Sequence, residues 1–208
     1  PEILRLIARL ARNLGRVDEP VRIMEYVVSR DPVNPANHAG LGSIYWRAGR
    51  LDESIASFQS ALDLSPGHAG SQYAIGVVWL MKGDPEAALE AIRREPAEWY
   101  RLTGLVMAYH ALERDEDSDE ALAELIDKYA QGWAYQIAYA LAYRGEVDRA
   151  FEWLQRAVEI NDPGLAEIPT QNLVESLYDD PRWLPFLERI GRSPEQLAAI
   201  EFEVQLPE

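Results

Sequence analysis

Three histidines, His38, His68 and His110, and a run of carboxylates, Asp115, Glu116, Asp117, Asp119 and Glu120, are the residues whose types could hold a metal ion or move a proton. Their spacing argues against both. The histidines fall far apart in the chain with no His-Glu-x-x-His pair, and the absence of cysteine removes every thiolate ligand. The carboxylates are nearly consecutive, the pattern of a solvated loop and helix start rather than of a convergent acid-base pair. Gly40 and Gly42 stand inside a helical pattern, not at the strand-to-helix turn of a phosphate cradle. No cofactor, metal or catalytic constellation is expected, and the reading is of a protein that is not an enzyme.

Charge narrows the partners. The net charge of -15 disfavours a nucleic-acid duplex or an anionic membrane, both of which are bound through Lys and Arg. The imbalance is uneven: six Arg face five acidic residues through Asn34, a section of +1, while the remainder carries -16. Some of the acid has a structural place, because Asp18, Asp52, Glu86, Glu116 and Asp148 stand where helices start and the helix dipole favours anions. With 48% hydrophobic residues the chain can bury a core, yet apolar runs such as Ala74 to Met81 are too short to cross a bilayer. A cytoplasmic location is the expectation. The opening at Pro1, within a helical pattern and without Met, suggests a piece of a longer protein.

The elements that must position any site emerge from self-comparison. Gly15, Gly49 and Gly83 are spaced by 34 residues, as are Ala8, Gly42 and Gly76; Met24, Phe58 and Ile92; and Ile7, Leu41 and Ile75. Leu105, Tyr109, Ser118 and Leu122 reproduce the pattern in a fourth unit, and Ile137, Ala138, Leu141, Gly145, Ala150, Leu154 and Ala157 in a fifth. The third unit is shortened, and Glu95 in an ordinarily buried column predicts an early end to its second helix. Val106 and Glu113 replace the fourth unit's small residue and turn glycine, which puts the geometry of that helix pair in question.

This pattern resembles the tetratricopeptide repeat over about residues 1 to 164, and the second unit carries it most fully in Leu41-Gly42, Tyr45, Gly49, Ser54, Phe58, Ala61 and Pro66. The resemblance implies an all-α superhelical solenoid of about five helix-turn-helix units, at 1–34, 35–68, 69–98, 99–130 and 131–164. Small residues at the eighth and twentieth positions let the two helices of a unit approach, and bulky ones fill the groove between units. Residues 165–208 lose the period and read as a helical cap, with Asp180-Pro181 and Ser193-Pro194 as helix starts and Trp183, Leu184, Phe186 and Leu187 as cover for the last repeat.

The resemblance also implies a concave face lined by the first helix of each unit. Carried over position by position, it consists of Arg5, Arg9, Arg12 and Asn13; Ser43, Trp46 and Arg47; Tyr73, Val77, Leu80 and Met81; Tyr100, Met107 and His110; and Tyr135, Tyr139 and Tyr143. This surface is basic at one end and aromatic beyond, the residue types of binding hot spots, although a tyrosine column is also good packing material. Some family members hold chaperone tail peptides with a two-carboxylate clamp. Here Gly40, Gly70 and Ala74 stand where that clamp needs polar groups, so the expected partner is instead an extended or helical segment with apolar anchors and an acidic end facing Arg5, Arg9 and Arg12.

The function expected is therefore a protein-protein interaction module binding a peptide or helix in a concave groove. The alternative is a self-association or regulatory module of a larger protein, a possible homodimer formed through Leu4, Ile7 and Ala11. The stretches "AYRGEVDRAFEWL", "DPGL" and "DDPRW" resemble the C-terminal portion of bacterial multidomain regulatory proteins. The tail from Leu165 onward is long enough to fold back over the last repeats, with Phe202, Val204 and Leu206 alternating as a docking strand would. A partner would then have to displace it.

Overall fold

The computed structural model describes residues 2–204 and 206; Pro1 and the tail residues Gln205, Pro207 and Glu208 lie outside the described residues. Ten helices follow in pairs: α1 Glu2–Asn13 and α2 Asp18–Arg30; α3 Pro35–Arg47 and α4 Leu51–Leu64; α5 Ser71–Met81 and α6 Pro85–Arg93; α7 Glu98–Ala111 and α8 Asp115–Tyr129; α9 Ala134–Tyr143 and α10 Val147–Glu159. Each first helix packs on its own second helix, and the second helix packs on the first helix of the next pair. A 3-10 helix, Pro163–Thr170, then precedes α11 Glu175–Tyr178, α12 Trp183–Arg189 and α13 Pro194–Ala198. The fold is an all-α solenoid with a non-repeating C-terminal segment. No helix among the described residues is long and apolar enough to cross a membrane.

The repeat columns account for the close approach within pairs. A methyl group on Gly76 would stand 2.4 Å from Ile92 Cγ1 and 3.0 Å from the Ala88 carbonyl, so only hydrogen fits where α5 meets α6. At the equivalent place in the second pair, Ser54 Oγ donates to the Gly42 carbonyl at 2.8 Å and satisfies its own buried hydroxyl. The fourth pair repeats that bond, Ser118 Oγ to the Val106 carbonyl at 2.8 Å, with Val106 fully buried. Glu113 takes the left-handed backbone, φ 58°, that the glycines at 15, 49, 83 and 145 adopt in the other turns. The fourth pair therefore keeps its geometry, at a backbone cost of about 1 kcal/mol that glycine would avoid.

Glu95 ends α6 early, as its position in the sequence suggests, and its burial has a reason. Only 1% exposed, its carboxylate accepts from the Gly70 and Tyr73 amides at 2.9 and 3.2 Å and from Ala97 N at 3.1 Å. Three N–H groups at the starts of α5 and α7 thus share one anion, where the dipoles of both helices favour it. Asp162 does the same after α10, accepting from Tyr135 N at 3.0 Å and Gly164 N at 2.8 Å.

The C-terminal segment covers the last repeat only in part as expected. Trp183, Phe186 and Leu187 join the main core, with the Phe186 ring edge-on to Phe151 at 6.3 Å, but Leu184 is 51% exposed on the outer side of α12. The chain then continues to the opposite end of the solenoid. Arg16 donates to the Ile200 carbonyl at 3.1 Å, and Val204 and Leu206 pack against the cluster that includes Leu4, Ile7, Val21 and Val28. The docking alternation at Val204 and Leu206 is real, but it meets the first helix pair rather than the last repeats. Consequently Leu4, Ile7 and Ala11 face inward, and the outward apolar stripe of α1 is Ile3, Leu6 and Leu10.

Replacing Glu95 with Ala leaves its buried amides without an acceptor and lowers unfolding stability by about 3 kcal/mol in urea denaturation. Glu95→Gln, which keeps one oxygen, costs less; a loss below about 0.5 kcal/mol for the alanine variant would contradict this capping role.

Candidate functional site

The first helices of the pairs bring a line of polar and aromatic side chains to the inner surface of the solenoid. At the basic end, Arg12 spends its donors on Asn13 Oδ1, through Nε at 3.1 Å and Nη2 at 2.9 Å, and on Ser43 Oγ, through Nη1 at 2.8 Å. Arg47 lies over the Trp46 ring at 4.4 Å, a cation-π contact that fixes its guanidinium plane. Trp46 Nε1 donates to Met81 Sδ at 2.9 Å. Further along, Tyr73 and Tyr100 have ring centroids 5.1 Å apart, and Tyr100, Trp99 and Trp133 form a stack with spacings of 3.4 and 3.8 Å. Tyr135 and Tyr139 continue the line at 6.5 Å.

This inner surface is occupied by the chain itself. The 3-10 helix contacts α1 and α9, and its residues, with the four that follow, form a strap through the concavity. Glu167 is the strap's anchor: Oε1 accepts from Arg12 Nη2 at 2.9 Å and Oε2 from Arg47 Nη2 at 3.3 Å. Arg47 Nη1 also donates to the Thr170 carbonyl at 2.6 Å, Tyr139 OH to the Asn172 carbonyl at 3.1 Å, and Asn172 Nδ2 reaches Met81 Sδ at 3.8 Å. Leu173 packs on the cluster of Trp46, Tyr73, Val77 and Val78. Gly164 is required where the strap enters, since a methyl group there would fall 2.3 Å from Tyr135 Cδ1.

Burial has electrostatic consequences. Desolvation lowers the Arg12 pKa, with Arg47 and Arg9 pushing the same way, while Glu167 opposes them by pairing. Burial raises Tyr73, Tyr135 and Tyr139 well above their ordinary range and pushes Tyr100 up to about 12.

The residues expected on the groove thus fall into five groups. Arg12, Asn13, Ser43, Trp46, Arg47, Tyr73, Met81, Tyr135 and Tyr139 gather around the strap, and Val77 and Met107 are completely buried in the packed interior. Tyr100 belongs to the aromatic stack, while Leu80, His110 and Tyr143 line a separate open hollow beside Asp115, with the His110 and Tyr143 rings edge-on at 6.1 Å. Arg5 and Arg9, with no ion-pair partner among the described residues, border a cleft of about 320 Å³ together with Leu6, Met24, Gly40 and Ile44. Glu167, Thr170, Asn172 and Leu173 escaped sequence reasoning because they lie outside the repeat. The signal available was Asp162-Pro163-Gly164, a cap followed by a residue that can pass close to a ring. Among the described residues no group of three or more His, Cys, Asp or Glu could hold a metal ion.

The tetratricopeptide repeat family model matches residues 5–69 and 58–99. The fold is similar to MamA 41-end from Desulfovibrio magneticus RS-1, at 19% identity over 77% of this chain and 94% of that one, TM-score 0.53. It is similar also to a crystal structure of MamA protein, at 22% identity over 79% and 93%, TM-score 0.52. A tetratricopeptide repeat protein from Parabacteroides merdae ATCC 43184 aligns at 18% identity over 92% and 79%, TM-score 0.50. No curated protein matches this sequence.

The tyrosine line gives a pH prediction. Because burial raises these pKa values, the folded chain keeps protons that the unfolded chain releases near pH 10. The resulting stability is complete below pH 10 and is lost as pH rises through the folded-state values, about 12 for Tyr45 and Tyr100. In a spectrophotometric titration the buried tyrosines ionise together with loss of helical circular dichroism; smooth ionisation of all ten near pH 10 with the fold intact would contradict their burial.

Proposed function

This chain is a tetratricopeptide repeat protein, and from that premise we propose that it is a non-enzymatic interaction module binding an extended or helical protein segment with apolar anchors and an acidic end. One observation carries the reading. The inner surface already holds such a segment, its own residues 163–174, with a carboxylate between two arginines and Leu173 among aromatic side chains. A foreign segment of the same chemistry enters at the cleft of Arg5, Leu6 and Arg9, where cationic groups stand without ion-pair partners among the described residues beside apolar floor. Extension beyond Arg12 requires the strap to yield, so the aromatic stretch from Tyr73 to Tyr139 is reached by competition with Glu167 and Leu173. Preformed helices keep the ordering cost of binding small.

Self-association is a second reading, supported by the exposure of Ile3, Leu6 and Leu10 at 72%, 53% and 51% along one face of α1. Light scattering across a concentration series separates it from a monomer that binds foreign segments.

Selection from a random peptide library displayed against the whole chain tests the main reading. Peptides combining Glu or Asp with Leu or aromatic residues are expected, and the double variant Arg5→Glu/Arg9→Glu weakens them about tenfold and flattens the salt dependence. Enrichment of basic sequences, or unchanged affinity in the double variant, would overturn it.

A further inference from the structure

Between the strap and the first two helix pairs lies a cavity of about 280 Å³, bordered by Arg12, Arg16 and Arg47 and by Thr170, Gln171 and Asn172. Its charge does not balance. Three arginines line it, and among the described residues the carboxylate paired with them is Glu167, shared by Arg12 and Arg47. The side chains of Arg12 and Arg47 are only 8% and 7% exposed, so water does little to screen them. Donors are left over as well. Arg47 gives Nη1 to the Thr170 carbonyl and Nη2 to Glu167, yet its buried Nε has no acceptor among the described residues. Arg16 gives Nη2 to the Ile200 carbonyl, and its Nε is likewise buried without an acceptor among the described residues.

Buried N–H donors on charged groups that lack acceptors are costly, and both arginines border the hollow, as does Gln171, whose buried Oε1 also lacks a partner among the described residues. We infer that this cavity is a binding site for a small oxyanion, a phosphate group or a compact multicarboxylate, held by Arg16 and Arg47. Guanidinium groups match the oxygen geometry of both ligand types, and one doubly charged anion neutralises the excess that Glu167 leaves. The volume suits a small ion and excludes a folded segment, so this site is independent of the protein-binding reading above. Because it joins Arg16 of the first pair, Arg47 of the second and the strap, an occupied site also strengthens the closure of the C-terminal segment on the N-terminal repeats.

The test is calorimetric titration of the whole chain with sodium phosphate and, separately, sodium citrate, each against chloride at matched ionic strength. Saturable binding of one or both is expected, with a rise in melting temperature that follows ligand concentration. Tighter binding of phosphate assigns a phosphoryl ligand, and tighter binding of citrate a multicarboxylate. Arg16→Gln weakens binding about tenfold, and Arg16→Lys, which keeps the charge but loses the Nε donor, weakens it less. Circular dichroism verifies that each variant is folded, which separates loss of the site from general loosening. Phosphate and citrate behaving as chloride does, or both variants binding as the unaltered chain does, would overturn the assignment.

Discussion

The pairing of Glu167 with Arg12 and Arg47 is the interaction on which the arrangement of the molecule depends. Two buried guanidinium groups on neighbouring repeats repel each other and have lost most of their hydration, which is why Arg12 is held below its ordinary pKa. A carboxylate set between them converts a repulsive junction of α1 and α3 into an attractive one. Since that carboxylate comes from a segment more than a hundred residues away, the same contact draws the end of the chain across the inner surface to its beginning. The other strap contacts are individually modest. They become cooperative because Glu167 has already fixed the strap's path.

Closure changes what a solenoid ordinarily exposes. A repeat array carries a bare face at each end and an open concavity between them. Here α12 covers the last pair through Trp183, Phe186 and Leu187, the terminal segment covers the first pair through Val204 and Leu206, and the strap fills much of the concavity. The first pair keeps its exposed apolar and cationic surface on α1, as the arginine-bordered cleft and the stripe of Ile3, Leu6 and Leu10. It coincides with the section of the chain that carries net positive charge in an otherwise acidic protein. The acidic remainder repels other anionic chains, and this end does so least.

The fold was legible wherever a physical requirement repeats. Closely approaching helices need small residues at fixed intervals, and Gly42, Ser54, Gly76 and Ser118 display that need without reference to coordinates. Inner-face positions follow from the same columns, so Arg12, Ser43, Trp46, Arg47, Tyr73, Tyr135 and Tyr139 could be named together. What covers them could not. The strap is a single event, with no period to betray it, and Glu167 looks in sequence like one more acid among thirty-five. Local exceptions misled for a related reason: Glu113 fills a glycine's place because the helices on either side over-determine the turn, a tertiary effect with no local signature. Leu184 shows the limit of apolarity as a guide, since helix phase within α12 turns it outward between buried neighbours.

Attachment of the strap to the first repeat is the central claim, and a chain without cysteine permits a direct test through a single introduced thiol. A nitroxide on Arg9→Cys, an exposed position one turn before Arg12, should selectively broaden the amide resonances of residues 166–168 and 170 in a paramagnetic relaxation experiment. Resonances of α10, at the far end of the array, should remain sharp. Strap amides as sharp as those of α10 would contradict the account and leave the concave surface open.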